Sequence, residues 1–238
     1  TLYYLFPYLF PNSLLDWEGY IVSTIYLPYC NFRCPYCQNS SLIFSPQSHP
    51  TISFSEIKNY WKKNEKWIDG VCITGGEPCL YHKLPEFIQS IRELGLKVKV
   101  DTNGSFPERL QEIIGKKLVD YIAMDIKSPL EFTSYQKSAG IRREFYLERV
   151  KRSIKIIMTS GIDYEFRTTV LPPLHTEKDI EKIACYIRGA KAYYLQNFVP
   201  HDTLDPDYEK IIPYPRKKLE DMREKISSYV TKCGVRGK

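Results

Sequence analysis

The sequence predicts an α/β fold in which parallel strands alternate with helices. Three observations support this prediction: short apolar runs alternate with amphipathic segments, glycine or proline punctuates their ends, and each strand–helix unit takes about 25–40 residues. Such alternation implies parallel pairing through right-handed crossovers. Six units are fewer than the eight of a closed (β/α)8 barrel. We therefore expect a partial, open (β/α)6 TIM-like barrel of parallel strands.

Each predicted strand is a run rich in β-branched and aromatic residues that stops at a glycine, a proline or a polar turn. The strands are predicted over residues 20–27, 70–74, 96–101, 119–126, 163–170 and 192–199. The helices, which repeat apolar residues at helical spacing, are predicted over residues 53–67, 84–94, 107–114, 145–160, 177–188 and 215–232. The polar, proline-bearing stretches 40–50 and 129–144 are expected to be loops.

The chain shows no shift in composition of the kind that marks a linker, so a single domain is expected over residues 1–238. Within it, residues 1–19 are a lead-in, residues 20–200 form the core units, and residues 201–238 form a C-terminal loop and helix. With 43% hydrophobic and 14% aromatic residues, the chain can bury a sizeable core.

Charge and cysteine content exclude several classes of partner. The net charge of +6 comes from lysines and arginines scattered along the chain, which predicts no nucleic-acid partner. Residues 1–10 are apolar, but a proline interrupts them and they are about half as long as a membrane span. Seven cysteines, an odd number, without a secretory signal indicate a reducing, cytoplasmic compartment and no membrane partner.

Three cysteines fall within eight residues, in the stretch CNFRCPYC at residues 30–37. Cys30, Cys34 and Cys37 follow the first predicted strand, so they lie on a strand-end loop, where α/β enzymes place their chemistry. Three thiolates on one loop can hold three irons of a cubane cluster and leave the fourth iron to a non-protein ligand. A structural zinc site is the alternative, with His49 as the best candidate for the fourth ligand that zinc prefers.

Polar or glycine residues that packing does not require lie toward the ends of the other five predicted strands. They are GGEP at residues 75–78, DTNG at residues 101–104, Asp125 with Lys127, Arg167 and His201. Because the C-terminal ends of parallel strands lie on one rim, we expect these groups to converge around the cluster. Carboxylates, a lysine and an arginine suggest a zwitterionic ligand with an amine and a carboxylate, and paired glycines let the backbone approach it closely.

Taken singly, several of these residues fit a purely structural interpretation as well. Asp101 and Asp125 are also typical of turns and helix caps, and Arg167 of an ion pair with Glu165. His201 is also typical of a loop residue. The other two histidines after residue 80, which are His82 and His175, are expected on surface loops.

The motifs together resemble a known family. CNFRCPYC is similar to the CxxxCxxC cluster signature of radical S-adenosylmethionine (SAM) enzymes, including the aromatic Tyr36 before the third cysteine, and GGEP fits the second signature of that superfamily. DTNG and MDIK, at residues 124–127, resemble the activating-enzyme branch, which installs glycyl radicals. Segments 14–19, 163–170 and 193–196 resemble the activating proteins of anaerobic ribonucleotide reductases.

The resemblance implies that Cys30, Cys34 and Cys37 ligate a [4Fe–4S] cluster whose open iron is chelated by SAM. The reduced cluster would pass one electron to the sulfonium, and the 5′-deoxyadenosyl radical would abstract a hydrogen atom from a glycine of a partner. The implied partner is a glycyl radical enzyme, anaerobic ribonucleotide reductase above all. A flavodoxin or ferredoxin is the expected electron donor.

The resemblance also implies contacts to SAM at the other strand ends. The amino group of SAM is expected to meet Gly75, Gly76 and Glu77. Arg167 suits its carboxylate, and Tyr36 is expected near its adenine.

Further positions match those of pyruvate formate-lyase activating enzymes. Asp101, Thr102 and Asp125 match residues that surround a monovalent cation beside SAM. Lys127 and His201 match active-site residues and are the expected catalytic pair.

Two other functions stay open on the sequence alone. One is a radical SAM enzyme that acts on a small molecule, such as a deazapurine precursor. The other is a zinc-stabilised binding module. The remaining cysteines are expected to be buried or free thiols, and they are Cys72, Cys79, Cys185 and Cys233.

Overall fold

The computed structural model describes residues 5–6 and 8–237, which form two compact units. The first unit takes the described residues of Thr1–Asn31, together with Asn39–Thr102 and Gln111–Ile122. The second unit takes Phe32–Gln38, Asn103–Leu110 and the described residues of Ala123–Lys238. The single-domain organisation over residues 1–238 stays a prediction.

Ten strands and eight α-helices make up the described part of the chain. The strands are β1 (Leu5–Phe6), β2 (Tyr8–Ser13), β3 (Val22–Leu27), β4 (Ile52–Ser53), β5 (Gly70–Gly75), β6 (Lys97–Thr102), β7 (Tyr121–Asp125), β8 (Asp163–Val170), β9 (Ala192–Asn197) and β10 (Lys232–Arg236). The helices are α1 (Ser40–Phe44), α2 (Phe54–Lys63), α3 (Leu84–Arg92), α4 (Pro107–Gly115), α5 (Phe132–Ala139), α6 (Glu144–Met158), α7 (Glu177–Tyr186) and α8 (Arg216–Ile226). All six predicted strands and all six predicted helices are present, with ends shifted by a few residues.

The first unit contains the strand order β2-β3-β5-β6, in which β2 is antiparallel to β3 and the other pairs are parallel. The register places Thr24 beside Cys72 and Cys72 beside Lys99, so a polar row runs across one face of the strands. Because side chains alternate between faces, the neighbouring row points the other way. That row is fully buried and apolar, and it consists of Ile25, Ile73 and Val100.

Helix α2 begins where the sequence predicts it. The Ser53 hydroxyl accepts the Glu56 N–H, and the Glu56 carboxylate accepts the Ser53 N–H, which together form a capping box. The helix ends at Lys63, before the predicted residue 67. Asn64 ends it by leaving the helical backbone and donating its side-chain amide to the Tyr60 carbonyl (2.8 Å).

Strand β7 has its first two residues in the first unit and its last three in the second. Just before it, the Asp120 N–H donates to the Val98 carbonyl of β6 (2.9 Å). Just after it, the Ile126 N–H donates to the Arg167 carbonyl of β8 (2.8 Å). In the second unit, β8, β9 and β10 pair in that order, and both pairs are parallel.

Strand β10 corrects the predicted end of the last helix. The sequence predicts helix through residue 232, whereas α8 ends at Ile226 and Lys232–Arg236 pairs in parallel with β9. Gly234 lies beside Tyr194, and a Cβ there would come within 2.8 Å of the tyrosine ring. The glycine at this position therefore leaves room for the Tyr194 ring on the neighbouring strand.

Two helices lie in stretches that the sequence predicts as loops, α1 within residues 40–50 and α5 within residues 129–144. Helix α5 buries Tyr135 and Ala139 and ends at Gly140, which has a φ of 63°. The stretch contains few apolar residues, so its helical periodicity is weak until its neighbours are known. Among the described residues, no helix is long and apolar enough to cross a bilayer.

Candidate functional site

The predicted site residues are divided between the two units, and each set is described by itself. The first unit holds Cys30, Gly75, Gly76, Glu77, Asp101 and Thr102. The second unit holds Cys34, Tyr36, Cys37, Asp125, Lys127, Arg167 and His201.

In the first unit, the glycine pair after β5 packs against the backbone that precedes the first cysteine. The Gly76 N–H donates to the Leu27 carbonyl and the Glu77 N–H to the Tyr29 carbonyl, each at 2.8 Å. A Cβ at Gly76 would lie 1.9 Å from the Tyr29 carbonyl oxygen, and Gly75 has a φ of 107°. The two glycines are thus required by the contact between two loops. Their contact with a ligand stays a prediction.

Glu77 is a buried carboxylate that two donors of the first unit hold. Its side chain is 1% exposed, and its Oε1 accepts the Thr102 hydroxyl (2.7 Å) and the Cys79 N–H (2.9 Å). Such donors are needed because burying an ionised carboxylate without hydrogen bonds is costly. The structure therefore brings together two residues, Glu77 and Thr102, that the sequence assigns to different contacts.

Asp101, near the end of β6, forms an ion pair that the sequence alone does not predict. The Lys99 ammonium lies 3.1 Å from Asp101 Oδ1, and the two side chains are 4% and 15% exposed. The same ammonium donates to the Asp16 carbonyl, and the Cys72 thiol lies 3.8 Å from Asp101 Oδ1. In the sequence KVKVD, alternating lysines are typical of a solvent-facing strand. Only the register of the sheet identifies Lys99 as a buried partner of Asp101.

In the second unit, helix α5 holds the second half of the cysteine loop in place. The Cys37 N–H donates to the Cys34 carbonyl (3.1 Å), which forms a turn, and the Arg33 N–H donates to the Ala139 carbonyl at the end of α5 (2.8 Å). A Cβ at Gly140 would lie 2.5 Å from the Arg33 carbonyl oxygen. The glycine that ends α5 is thus also what allows the cysteine loop to pass so close.

Asp125, Lys127 and Arg167 form one charged cluster in the second unit. Asp125 Oδ2 lies 2.9 Å from Lys127 Nζ, and its Oδ1 lies 2.8 Å from Arg167 Nε. Burial alone would raise the pKa of Asp125, but Arg167 and Lys127 lower it far below its usual value. Burial alone would lower the pKa of Lys127, but Asp125 raises it well above its usual value. Both groups are therefore ionised at neutral pH.

Two buried tyrosines lie near this cluster. Burial, followed by the nearby Cys34, raises the pKa of Tyr36 well above its usual value, and its hydroxyl has no hydrogen-bond partner. The Tyr135 hydroxyl accepts the Lys127 N–H (3.1 Å), and burial raises the pKa of Tyr135. Both tyrosines stay phenols at neutral pH and can donate a hydrogen bond.

His201 is not part of the charged cluster. Its side chain is 74% exposed on the loop after β9, and its Nδ1 lies 3.1 Å from the carboxylate of the neighbouring Asp202. The position agrees with a loop residue, and the catalytic role of His201 stays a prediction.

The sequence predicts His175 on a surface loop, and that prediction is wrong. The residue is fully buried, its Nδ1 accepts the Leu171 N–H (3.3 Å), and its Nε2 lies 2.9 Å from the Lys127 carbonyl. A carbonyl only accepts, so Nε2 carries the proton, and burial lowers the pKa of His175, which keeps the ring neutral. The ring thus fixes the backbone of Lys127. His82 is exposed, as predicted.

The family model of the radical SAM superfamily matches residues 24–187 of this chain. That is more than half of the chain, and the chain belongs to the radical SAM superfamily. It is therefore an enzyme, and the zinc-stabilised binding module is set aside.

Relatives of this chain include proteins of two activities. A Methanocaldococcus jannaschii protein with the provisional name glycyl-radical enzyme activating enzyme is 30% identical over 230 residues, which cover 94% of this chain and 92% of the relative. A second protein of that organism and provisional name is 28% identical over 77% of this chain and 71% of its own. The 7-carboxy-7-deazaguanine synthase of Thermoplasma acidophilum is 27% identical over 58% of this chain and 60% of its own.

Solved structures confirm the fold class. Streptococcus suis SuiB bound to precursor peptide SuiA matches with a TM-score of 0.69 at 16% identity, over 91% of this chain and 48% of that chain. A radical SAM methyltransferase from Sphaerobacter thermophilus matches with a TM-score of 0.67 at 11% identity, over 90% of this chain and 66% of that chain. This chain thus spans about half the length of SuiB. At these identities the likeness shows the fold alone, which is the partial barrel of radical SAM enzymes.

Membership of the superfamily implies a [4Fe–4S] cluster and SAM, and two observations agree with both. None of the seven cysteines, all of which the structure describes, is held in a disulfide, including the three of the loop. The buried, unpartnered hydroxyl of Tyr36 is what a polar ligand atom would satisfy. Within the described ranges, no group of three or more His, Cys, Asp or Glu side chains is gathered to hold a metal. The fit of Cys30, Cys34 and Cys37 to the cluster therefore rests on donor chemistry and spacing.

Proposed function

We propose that this chain activates a glycyl radical enzyme, with anaerobic ribonucleotide reductase as its partner. The observation that carries the proposal is the 30% identity to the provisionally named activating enzyme of M. jannaschii, because it extends over nearly the full length of both chains. The motifs DTNG and MDIK at the ends of β6 and β7 support the same activity. A flavodoxin or ferredoxin in the cytoplasm is the proposed electron donor.

When bound, the cluster and SAM supply a one-electron cleavage that yields methionine, 5′-deoxyadenosine and a radical on the substrate. The three loop cysteines would hold the cluster. Glu77 would accept hydrogen bonds from the ammonium group of SAM, because its buried carboxylate already depends on donors. Arg167 would bind the carboxylate of SAM.

Lys127 would act as a cation in this proposal. Asp125 raises the pKa of Lys127, so the ammonium is available as a hydrogen-bond donor and is unsuited to accept a proton. The proposed role of His201 requires its exposed loop to turn toward the substrate.

The test is anaerobic reconstitution of the protein, followed by incubation with SAM, a reductant and candidate anaerobic ribonucleotide reductases. The expected result is a glycine-centred doublet in the electron paramagnetic resonance spectrum, with one methionine and one 5′-deoxyadenosine formed per radical. Cys34→Ala should abolish the signal, whereas Cys233→Ala, a matched change outside the loop, should leave it. Cleavage of SAM without a doublet in any candidate reductase would contradict the proposal.

A second candidate function is radical chemistry on a small heterocycle. It is favoured by the similarity to the T. acidophilum 7-carboxy-7-deazaguanine synthase, although that similarity covers only 58% of this chain. Under this alternative, 5′-deoxyadenosine would form in the presence of a deazapurine precursor and without any protein partner. A product assay by mass spectrometry on the same reconstituted protein distinguishes the two functions.

A further inference from the structure

We propose that Lys99 takes the place of a monovalent cation at Asp101, so that this protein binds SAM independently of monovalent cations. The inference rests on SAM binding, which the superfamily implies, and not on the identity of the partner enzyme. It makes Lys99 a positioning residue for Asp101, since the ammonium contacts the carboxylate that the resemblance assigns to the cation.

The first step is that Lys99 is held at Asp101 from two directions. Its ammonium lies 3.1 Å from Asp101 Oδ1 and also donates to the Asp16 carbonyl. Asp16 is in turn fixed by its own side chain, which accepts the Thr24 hydroxyl (2.5 Å). With 4% of the Lys99 side chain exposed, water cannot readily replace these contacts. The ammonium is therefore a permanent part of the environment of Asp101.

The second step is that an ammonium and an alkali cation at one carboxylate repel each other. Both carry a single positive charge, and the repulsion is strong where water is largely excluded. The ammonium already compensates the charge of the Asp101 carboxylate. A second cation there would have to overcome that repulsion and also give up its own hydration.

The third step is that the other predicted cation ligands are engaged as well. Both oxygens of Asp125 contact cations of the second unit, Oδ2 with Lys127 at 2.9 Å and Oδ1 with Arg167 at 2.8 Å. In the first unit, the Thr102 hydroxyl donates to Glu77 (2.7 Å). The monovalent cation that the resemblance implies therefore does not fit the residues present.

The test measures SAM binding by isothermal titration calorimetry on the cluster-loaded protein. The measurements are made in potassium, sodium and tetramethylammonium chloride at equal ionic strength, since tetramethylammonium is too large for a compact oxygen site. The expected dissociation constants agree within about twofold across the three salts. A dissociation constant about tenfold lower in potassium or sodium than in tetramethylammonium would overturn the proposal.

Two variants sharpen the test. Lys99→Met should weaken SAM binding about 10- to 100-fold in tetramethylammonium, with partial recovery in potassium. Lys97→Met is the matched control, because Lys97 lies two residues earlier on the same strand, is exposed, and bonds to the Tyr20 hydroxyl (2.8 Å) instead of a carboxylate.

Lys97→Met should bind SAM like the unmodified protein in every salt. Wild-type affinity in Lys99→Met would overturn the proposal. If Lys99→Met does not fold, the three-salt comparison on the unmodified protein decides. Failure to activate any reductase would leave this result unaffected, because the titration involves no partner.

Discussion

Replacement of Arg236 by methionine tests whether strand β10 contributes to the second unit as the structure shows. Both terminal nitrogens of Arg236 contact Glu165, at 2.6 and 2.8 Å, and its guanidinium lies 3.6 Å from the centre of the Tyr194 ring. The Glu165 side chain is only 3% exposed, and its other charged neighbour, Arg167, is 4.0 Å away. Arg236→Met therefore removes both short contacts of a buried carboxylate.

The expected cost follows from the burial of Glu165. Removal of one partner of a buried ion pair typically costs about 3–5 kcal/mol of unfolding free energy. Since Arg167 still contacts Glu165, the lower end, about 3 kcal/mol, is expected for Arg236→Met. In a chain of this size that loss lowers the melting temperature by about 6–12 °C. Glu165→Gln should cost less, about 2 kcal/mol, because the Arg236 side chain is 32% exposed and its charge can reach water.

The assay is thermal unfolding of the cluster-free protein, followed by circular dichroism, for both single variants and the double variant. The double variant should be more stable than the sum of the single losses predicts, by a coupling free energy of about 2 kcal/mol. Lys210→Met is the surface control, since the Lys210–Asp207 pair has a similar distance (2.7 Å) but side chains that are 78% and 79% exposed. It should not measurably change the melting temperature. Strict additivity, or equal effects of Arg236→Met and Lys210→Met, would refute the assignment of β10.

Three further outcomes are expected. Thr102→Val should lower the unfolding free energy by about 2 kcal/mol, because Glu77 loses a buried hydrogen-bond donor. A melting temperature that stays within about 1–2 °C of the wild-type value would contradict this. Burial raises the pKa of Cys233 to about 11, so at pH 8 roughly one molecule in a thousand carries a thiolate there. Peptide mass spectrometry should therefore show that iodoacetamide modifies the exposed Cys185 before Cys233. Hydrogen bonds from two lysines of α8 lower the pKa of Glu177 from 4.5 to about 2. The stability that these bonds add is therefore present above pH 4.5 and is lost as the pH falls toward 2. The difference in melting temperature between the wild type and Glu177→Gln should shrink over that range.

The sequence predicts most of the fold because the glycine, proline and polar residues that end each strand and helix are close to it in sequence. Strand β8 is predicted at its observed limits, since residues 163–170 are rich in β-branched and aromatic residues and turns bound them on both sides. The capping box at Ser53 also depends on residues four apart or fewer, so it is visible in the sequence. The cysteine spacing belongs to the same class of local signal.

What the sequence does not predict depends on pairing between distant residues. Lys99 becomes a buried ammonium only because β6 aligns with β5 and because Asp16 reaches it from before β3. His175 sits in a loop with no periodicity, and its burial follows from the position of Lys127, 48 residues away. Strand β10 is five residues long, too short for its alternation to outweigh the helical pattern before it.

Arg167 shows why ion-pair and ligand-binding interpretations of a charged residue need not compete. Its guanidinium contacts Asp125 through Nε at 2.8 Å and Glu165 at 4.0 Å, so the ion pair that the sequence offered as an alternative is present. Lys127 pairs with the same Asp125, and Arg236 pairs with the same Glu165. The three cations and two carboxylates together carry one net positive charge. A guanidinium already held on both sides loses little conformational freedom when a further anion binds. Under the proposed function, the pairing therefore holds Arg167 in place for the carboxylate of SAM. Glu165→Gln should then lower the affinity for SAM, even without direct contact between Glu165 and SAM.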